Sequence, residues 1–235
     1  MPSPPPPSPP SPAARGPRLA IVIDDLGYDL NAVRGLLEVD APITLAVLPH
    51  LRHSRRAAQM AYDSGREVIL HLPMEPRNSR DHDPGRGALL TSMSERDIVD
   101  NLLADLDAVP HLSGVNNHMG SRFTENERLM ELVLRELKER GFFFLDSRTS
   151  GRTVAARVAR RLGLRTVERS VFLDNERDRS RIRARLREAV RLARRNGSAV
   201  AIGHPYSETI EVLKEEVPAL ARQGVTVVRL SSLAR

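Results

Sequence analysis

The stretch LAIVIDDLG, residues 19–27, decides how this chain is read. Five apolar residues, Leu19 to Ile23, run into Asp24 and Asp25, and Gly27 follows. The run predicts a buried strand that stops at the two aspartates. Adjacent carboxylates at a strand's C-terminal end repel each other and lose hydration, so they add nothing to a core. Pairs placed this way hold a metal, move a proton, or do both. The plainer alternative is one aspartate capping the next helix while its neighbour stays exposed.

Other apolar runs end in the same manner. EVILHLP (67–73) delivers His71, SGVNNHMGS (113–121) delivers His118, and FFFLDS (142–147) delivers Asp146. SVFLDN (170–175) delivers Asp174 and AVAIGHP (199–205) delivers His204. Parallel α/β folds place their active sites at the C-terminal ends of the strands, so these distant side chains are expected in one cleft.

Helical patterns fill the gaps between the strands. Strands are expected at 18–24, 43–49, 67–72, 113–118, 142–146, 166–173, 199–203 and 225–230. Helices are expected near 29–39, 52–64, 94–108, 125–140, 153–162, 179–195 and 207–222. Ser94 begins one helix with capping-box spacing to Asp97, and Thr124 is read as the cap of another that Gly141 stops. A loop rich in Arg, Asp, Gly and Pro covers 76–92. Seven or eight βα repeats argue for one parallel α/β domain, and near-continuous apolar strands argue for cover on both faces. A closed or nearly closed (β/α) barrel fits better than an open doubly wound sheet. No glycine-rich dinucleotide fingerprint follows the first strand, and no phosphate-cradling lysine loop is present.

Composition narrows the chemistry. The first seventeen residues, MPSPPPPSPPSPAARGP, are mostly proline without apolar periodicity; a disordered or extended tail or linker is expected at 1–17, ahead of a barrel domain at 18–235. No signal peptide is visible, and the proline-rich start resembles a tether whose upstream anchor is missing. Cysteine is absent, so any metal must be held by His, Asp, Glu, Asn or water, and no thiolate nucleophile exists. No run is long and apolar enough to span a bilayer. The net charge of +6 comes almost wholly from arginine, concentrated at 152–195. In RSRIRARLREAVRLARR (179–195), Ile182, Leu186, Ala189 and Ala193 recur at helical spacing, which favours a solvated helix face over a nucleic-acid surface. With no tryptophan and few aromatics, base-stacking platforms are scarce.

The residues able to build a metal site are Asp25, His71, Glu75 and His118. A catalytic zinc-type site needs about three N or O ligands and an open position for water. Asp24 adjoins this set as a proton acceptor, and His204 stands across the expected cleft as a proton donor. Asn117 and Asp146 are further candidates for holding metal or substrate. The resulting chemistry is metal-assisted hydrolysis of an amide or ester. Taken singly, each residue also has a structural reading: a hydrogen-bonded core histidine at His71, a polar turn around His118, an exposed Glu75, a helix cap at His204. Paired carboxylates among Asp24, Asp146 and Asp174 leave metal-free glycoside hydrolysis as a rival. His50, His53, His82 and His111 lack strand-end placement and are expected at the surface.

The motifs IDDLG (23–27), TLAVLP (44–49), HLPMEP (71–76), GVNNHMGSRFT (114–124), DSRTS (146–150), FLDN (172–175) and AIGHP (201–205) together resemble the divergent polysaccharide deacetylase family. GREVILHLPMEP (65–76) is similar to the second motif of polysaccharide deacetylases, with Glu75 where that motif has its second metal histidine. IDDLG resembles their Asp-Asp-Gly motif with Leu26 inserted, and Asn116 stands where their third motif has arginine. The resemblance covers essentially 18–235. It implies an irregular barrel, usually seven-stranded, and a divalent metal, with zinc expected. It implies Asp24 as base, Asp25 and His71 as metal ligands and His204 as acid, with His118 or Glu75 as third ligand. The implied activity is removal of acetyl groups from an envelope polysaccharide or oligosaccharide, in the periplasm or cell envelope. The alternative is a non-catalytic carbohydrate-binding or scaffold protein on the same fold.

Overall fold

A computed structural model describes residues 16–235, in which strands and helices alternate. The expected tail at 1–17 therefore lies outside the described residues, apart from Gly16 and Pro17. The elements are β1 (Arg18–Leu26), α1 (Leu30–Leu37), β2 (Thr44–Val47), α2 (Ser54–Asp63), β3 (Glu67–Met74), α3 (Glu95–Ala108) and β4 (Leu112–Met119). Then follow α4 (Glu127–Glu139), β5 (Phe143–Asp146), α5 (Ala155–Leu162), β6 (Thr166–Glu168), β7 (Val171–Phe172), α6 (Arg179–Asn196), β8 (Ser198–Gly203), α7 (Ser207–Leu220) and β9 (Thr226–Val227).

Every strand pairing is parallel, in the order β6-β5-β4-β3-β2-β1-β8-β7, with β9 paired to β1 off that path. The sheet curls into a barrel-like layer with the helices packed outside it. The path holds eight strands, which corrects the expected seven. The apolar run 166–173 reads as one strand but makes two. Its first part pairs with β5 and its second with β8, and the break falls where Arg169 N–H donates to Asp146 O at 3.0 Å and Ser170 N–H to Val200 O at 2.8 Å. One stretch of chain thus joins the two edges of the sheet.

Side-chain alternation sorts the strands into two cores. Leu19, Ile21, Ile23, Leu70, Leu72 and Val115 pack against the helices. Ala20, Val22, Ile69, Phe143, Leu145, Val200 and Ile202 fill the interior. The last expected strand, 225–230, shrinks to Thr226–Val227. Beyond it the chain turns inward, and Leu230, Leu233 and Ala234 join the interior core. Ser231 N–H donates to the Glu67 carboxylate at the start of β3, and Thr166 and Arg235 exchange backbone hydrogen bonds. The C-terminal segment therefore plugs the end where strands begin and leaves the opposite end free for polar side chains.

Local signals mostly act as read. Ser94 caps α3, its Oγ accepting from Asp97 N–H at 3.2 Å. The cap of α4 is Asn126, however, which accepts from Leu129 N–H; the Thr124 hydroxyl instead donates to Gly120 O at 2.8 Å within the preceding 3-10 turn. The arginine-rich helix α6 buries Ile182, Leu186, Ala189 and Ala193, and its Arg179 and Arg183 pair with Glu211, Glu215 and Glu216 of α7.

Candidate active site

Inward alternation carries a column of polar side chains to the open end of the barrel. Asp24 continues the face of Ala20 and Val22, His71 that of Ile69, and His204 that of Val200 and Ile202. In β4, Asn116 and His118 share a face with Gly114, where an added Cβ would lie 2.6 Å from the interior Phe143 ring. By strict alternation Asp25 would point at the helices. Instead the β1–β2 register shifts between Ile23 and Leu26, and Asp25 takes a left-handed φ of 57°. Such a bulge re-aims a side chain. Both carboxylates thereby reach the same cleft.

Three atoms converge there. His118 Nδ1 lies 3.0 Å from Asp25 Oδ1, His71 Nε2 lies 3.2 Å from it, and the two nitrogens are 3.0 Å apart. Donors bound to one cation at ~2.0–2.2 Å sit about 2.9–3.6 Å from one another, so this triangle has the dimensions of one face of a coordination shell. Asp25 Oδ1 is buried and has no hydrogen-bond partner. An orphaned buried carboxylate oxygen beside two imidazole nitrogens fits a cation, and the N/O donor set suits zinc.

Asn116 fixes the rest of the arrangement. Its Nδ2 donates to Asp24 Oδ1 at 2.9 Å and to Ser147 Oγ at 3.1 Å. Its Oδ1 therefore faces His71 Nδ1, at 2.9 Å, and that nitrogen carries the proton. His71 Nε2 is left with its lone pair toward the triangle. Across the cleft, His204 Nδ1 bonds Asp174 Oδ1 at 2.9 Å, and Asp174 Oδ2 accepts from His204 N–H and the Thr209 hydroxyl. His204 Nε2 then points inward, 3.9 Å from Asp25 Oδ2.

Charge follows from this geometry. Burial pushes the Asp25 carboxyl up, but the His118 and His71 imidazoles close beside it outweigh that and hold the group well below the usual range. Burial dominates at Asp24 and raises it against the pull of His71 and His204. Burial also lowers His204, yet the Asp174 hydrogen bond and charge, with Asp24 and Asp25 behind them, push it up to about 9.

Asp24, Asp25, His71, His118 and His204 thus meet in one cleft, while the remaining sequence candidates have other partners. Glu75 Oε2 accepts from Thr91 N–H and hydroxyl, and Oε1 lies 3.1 Å from Arg122. It ties the long loop after β3 to the barrel. Asn117 accepts from Ser147 N–H and donates to Met119 O. Asp146 accepts from Arg148 N–H and the Thr153 hydroxyl. Asn116 and the orienting role of Asp174 were not singled out by sequence; the one signal for Asn116 was its place where the resemblance has an arginine. Among the histidines expected at the surface, His50 differs: its Nε2 lies 2.8 Å from Asp105 Oδ1, and Asp105 is fully buried.

Known proteins bear on this site. YibQ of Escherichia coli K12, an uncharacterised protein, is 40% identical over 216 residues, covering 92% of this chain and 67% of YibQ. The crystal structure of an uncharacterised Agrobacterium tumefaciens C58 protein superposes with a TM-score of 0.91 at 28% identity, covering 96% of this chain and 92% of that one. The catalytic domain of a peptidoglycan N-acetylglucosamine deacetylase from Eubacterium rectale shares the fold at a TM-score of 0.60 and 11% identity, covering 94% of this chain and 91% of that one. The sequence profile of the divergent polysaccharide deacetylases matches residues 21–234, the whole barrel with its polar cleft, and the chain belongs to that family.

Proposed function

We propose that this protein is a metal-dependent hydrolase that removes acetyl groups from an envelope polysaccharide. The observation that carries the reading is the Asp25–His71–His118 donor triangle, with a buried carboxylate on one side and an oriented histidine on the other. The E. rectale neighbour is named for deacetylating peptidoglycan N-acetylglucosamine, and that chemistry is carried here by these residues.

Asp25, His71 and His118 would hold a divalent cation, with zinc favoured. Bound there, the cation supplies Lewis acidity toward a carbonyl and water, and the counter-charge that keeps Asp24 ionised despite burial. Asp24 Oδ2 lies 3.6 Å from His71 Nε2, beside the triangle, and takes the proton from the attacking water. Asn116 binds the other Asp24 oxygen and keeps that carboxylate in place. His204, held by Asp174 with Nε2 facing the cleft, gives a proton to the departing amine or alcohol.

The test is turnover of acetylated oligosaccharides by the zinc-loaded protein and its variants. Asp24→Asn and His204→Ala are each expected to lose roughly 10²–10⁴-fold in kcat while retaining metal. Zinc-loaded wild type that binds glycan yet releases no acetate from a broad panel would replace this reading with a non-catalytic carbohydrate-binding protein.

A further inference from the structure

A second hollow opens from the candidate site. It has a volume of about 320 Å3 and is bounded by Asp25, Tyr28, Asp29, Arg177, Pro205 and Tyr206. That volume falls at the small end of ligand cavities. One wall comes from the turn after β1, and the other from the segments flanking α6 and α7. Asp25 belongs both to this hollow and to the donor triangle, so anything bound here abuts the metal centre.

The aromatic inventory singles the hollow out. The chain has three tyrosines, five phenylalanines and no tryptophan. Among the described residues, two large apolar side chains are mostly exposed, Tyr28 at 68% and Tyr62 at 54%. Tyr62 stacks on His111, with ring centroids 3.9 Å apart. Tyr28 has no such ring partner among the described residues, and its open face borders the hollow. Opposite, the Arg177 guanidinium lies over the Tyr206 ring, 3.6 Å from its centroid, and Tyr206 sits 5.6 Å from the His204 ring. The same wall thus reaches the proton donor.

The turn that presents Tyr28 is closely packed. Gly27 has φ +123°, and a Cβ there would lie 3.1 Å from both Leu51 and Ser54. Asp29 caps α1 by accepting from Asn31 N–H at 2.8 Å. The Tyr28 backbone is therefore set between a packed glycine and a helix cap, three residues after Asp25. An exposed aromatic face flanked by a carboxylate and a guanidinium matches a pyranose, with its apolar C–H face and a rim of hydroxyls.

Resting on the deacetylase reading, we propose that this hollow binds the sugar unit adjoining the one that loses its acetyl group. Tyr28 supplies the stacking face, and Asp29 and Arg177 bond the hydroxyls. The enzyme then acts on a chain rather than on a single sugar.

The probes are the β-1,4-linked N-acetylglucosamine tetramer and its monomer. Binding is measured by calorimetry on zinc-loaded Asp24→Asn protein, so that turnover does not interfere. The tetramer is expected to bind at least about tenfold more tightly than the monomer, and Tyr28→Ala in that background to remove most of the preference. Tyr28→Phe should restore it, because the stacking face survives, and metal content should not change. In the active protein, Tyr28→Ala should raise KM for the tetramer about five- to tenfold with little change in kcat. Equal affinity for tetramer and monomer, or unaltered tetramer binding by Tyr28→Ala, would overturn the subsite. Tyr28-dependent tetramer binding without turnover would overturn the deacetylase reading and leave the subsite standing. Turnover indifferent to Tyr28 would do the reverse.

Discussion

His71 Nε2 lies 3.0 Å from His118 Nδ1. Two imidazole nitrogens so close must share a proton or a cation, because two lone pairs repel. His71 Nδ1 already donates to Asn116, so Nε2 is available as a ligand atom. His71→Ala and His118→Ala are each expected to abolish stoichiometric zinc binding, measured by elemental analysis after dialysis. Glu75→Gln should keep its zinc, since that carboxylate is engaged by Thr91 and Arg122. A chelator should lower the wild-type Tm and leave the His71→Ala Tm unchanged, because a ligand bound only to the folded state stabilises it.

Asn116 joins a metal ligand to the base, so replacing it should disturb both. Asn116→Ala leaves Asp24 Oδ1 and His71 Nδ1 without their buried partner. Zinc affinity should fall about 10–100-fold, as expected when a partner orienting a ligand is lost. Competition titration against a chromophoric chelator reads this directly. Unchanged affinity would show that Asn116 does not orient His71.

His204 should titrate high in the metal-free protein, near the value of about 9 set by the Asp174 contact against burial. An NMR titration of the imidazole carbons checks this, and Asp174→Asn should bring the midpoint down. The sign for stability follows. A histidine whose folded pKa is raised contributes stability fully below its unfolded value, about 6.5, and loses it as pH rises through about 9. Unfolding in urea across pH 6–10 should show that loss in wild type and less of it in Asp174→Asn.

Asp105 gives the opposite kind of pH dependence far from the chemistry. Fully buried, with Oδ2 unpartnered, it is pushed by burial up to about 8. Burial and the charge of Arg86 lower His50, so the pair is a protonated carboxyl donating to a neutral imidazole at 2.8 Å. An acid whose folded pKa is raised costs stability as pH climbs from its unfolded value, about 3.9, through about 8. Asp105→Asn removes the ionisable group and keeps a donor toward His50. Its Tm relative to wild type should be close at pH 5 and clearly higher at pH 9; an equal difference at both would refute the assignment.

Much of the architecture was legible in the sequence because it rests on local rules. Apolar runs closed by polar residues mark parallel strands covered on both faces, and their alternation with helical periods marks the βα repeat. The same alternation placed Asp24, His71, His118 and His204 at one end of the barrel, since side-chain direction along a strand has period two. The split of 166–173 was not legible, because a continuous apolar run carries no sign of which neighbour each half will pair with. Nor was the C-terminal plug: Leu230 read as the end of a strand, and nothing marked Leu233 and Ala234 as core, until the open end of a barrel exists for them to fill.

By itself the sequence determined the βα repeat, the absence of thiol chemistry, and which metal-competent side chains end the strands. Tertiary structure decided which of them meet. Asp25 enters the cleft only because β1 bulges against β2. Glu75, equally suited by residue type, is held instead by Thr91 and Arg122. Asn116 matters only once β3 and β4 pair in the register that sets it opposite His71. The physical reason is that ligand geometry is fixed to tenths of an ångström by hydrogen bonds between strands far apart in the chain, whereas residue type and spacing carry only the local half of that information.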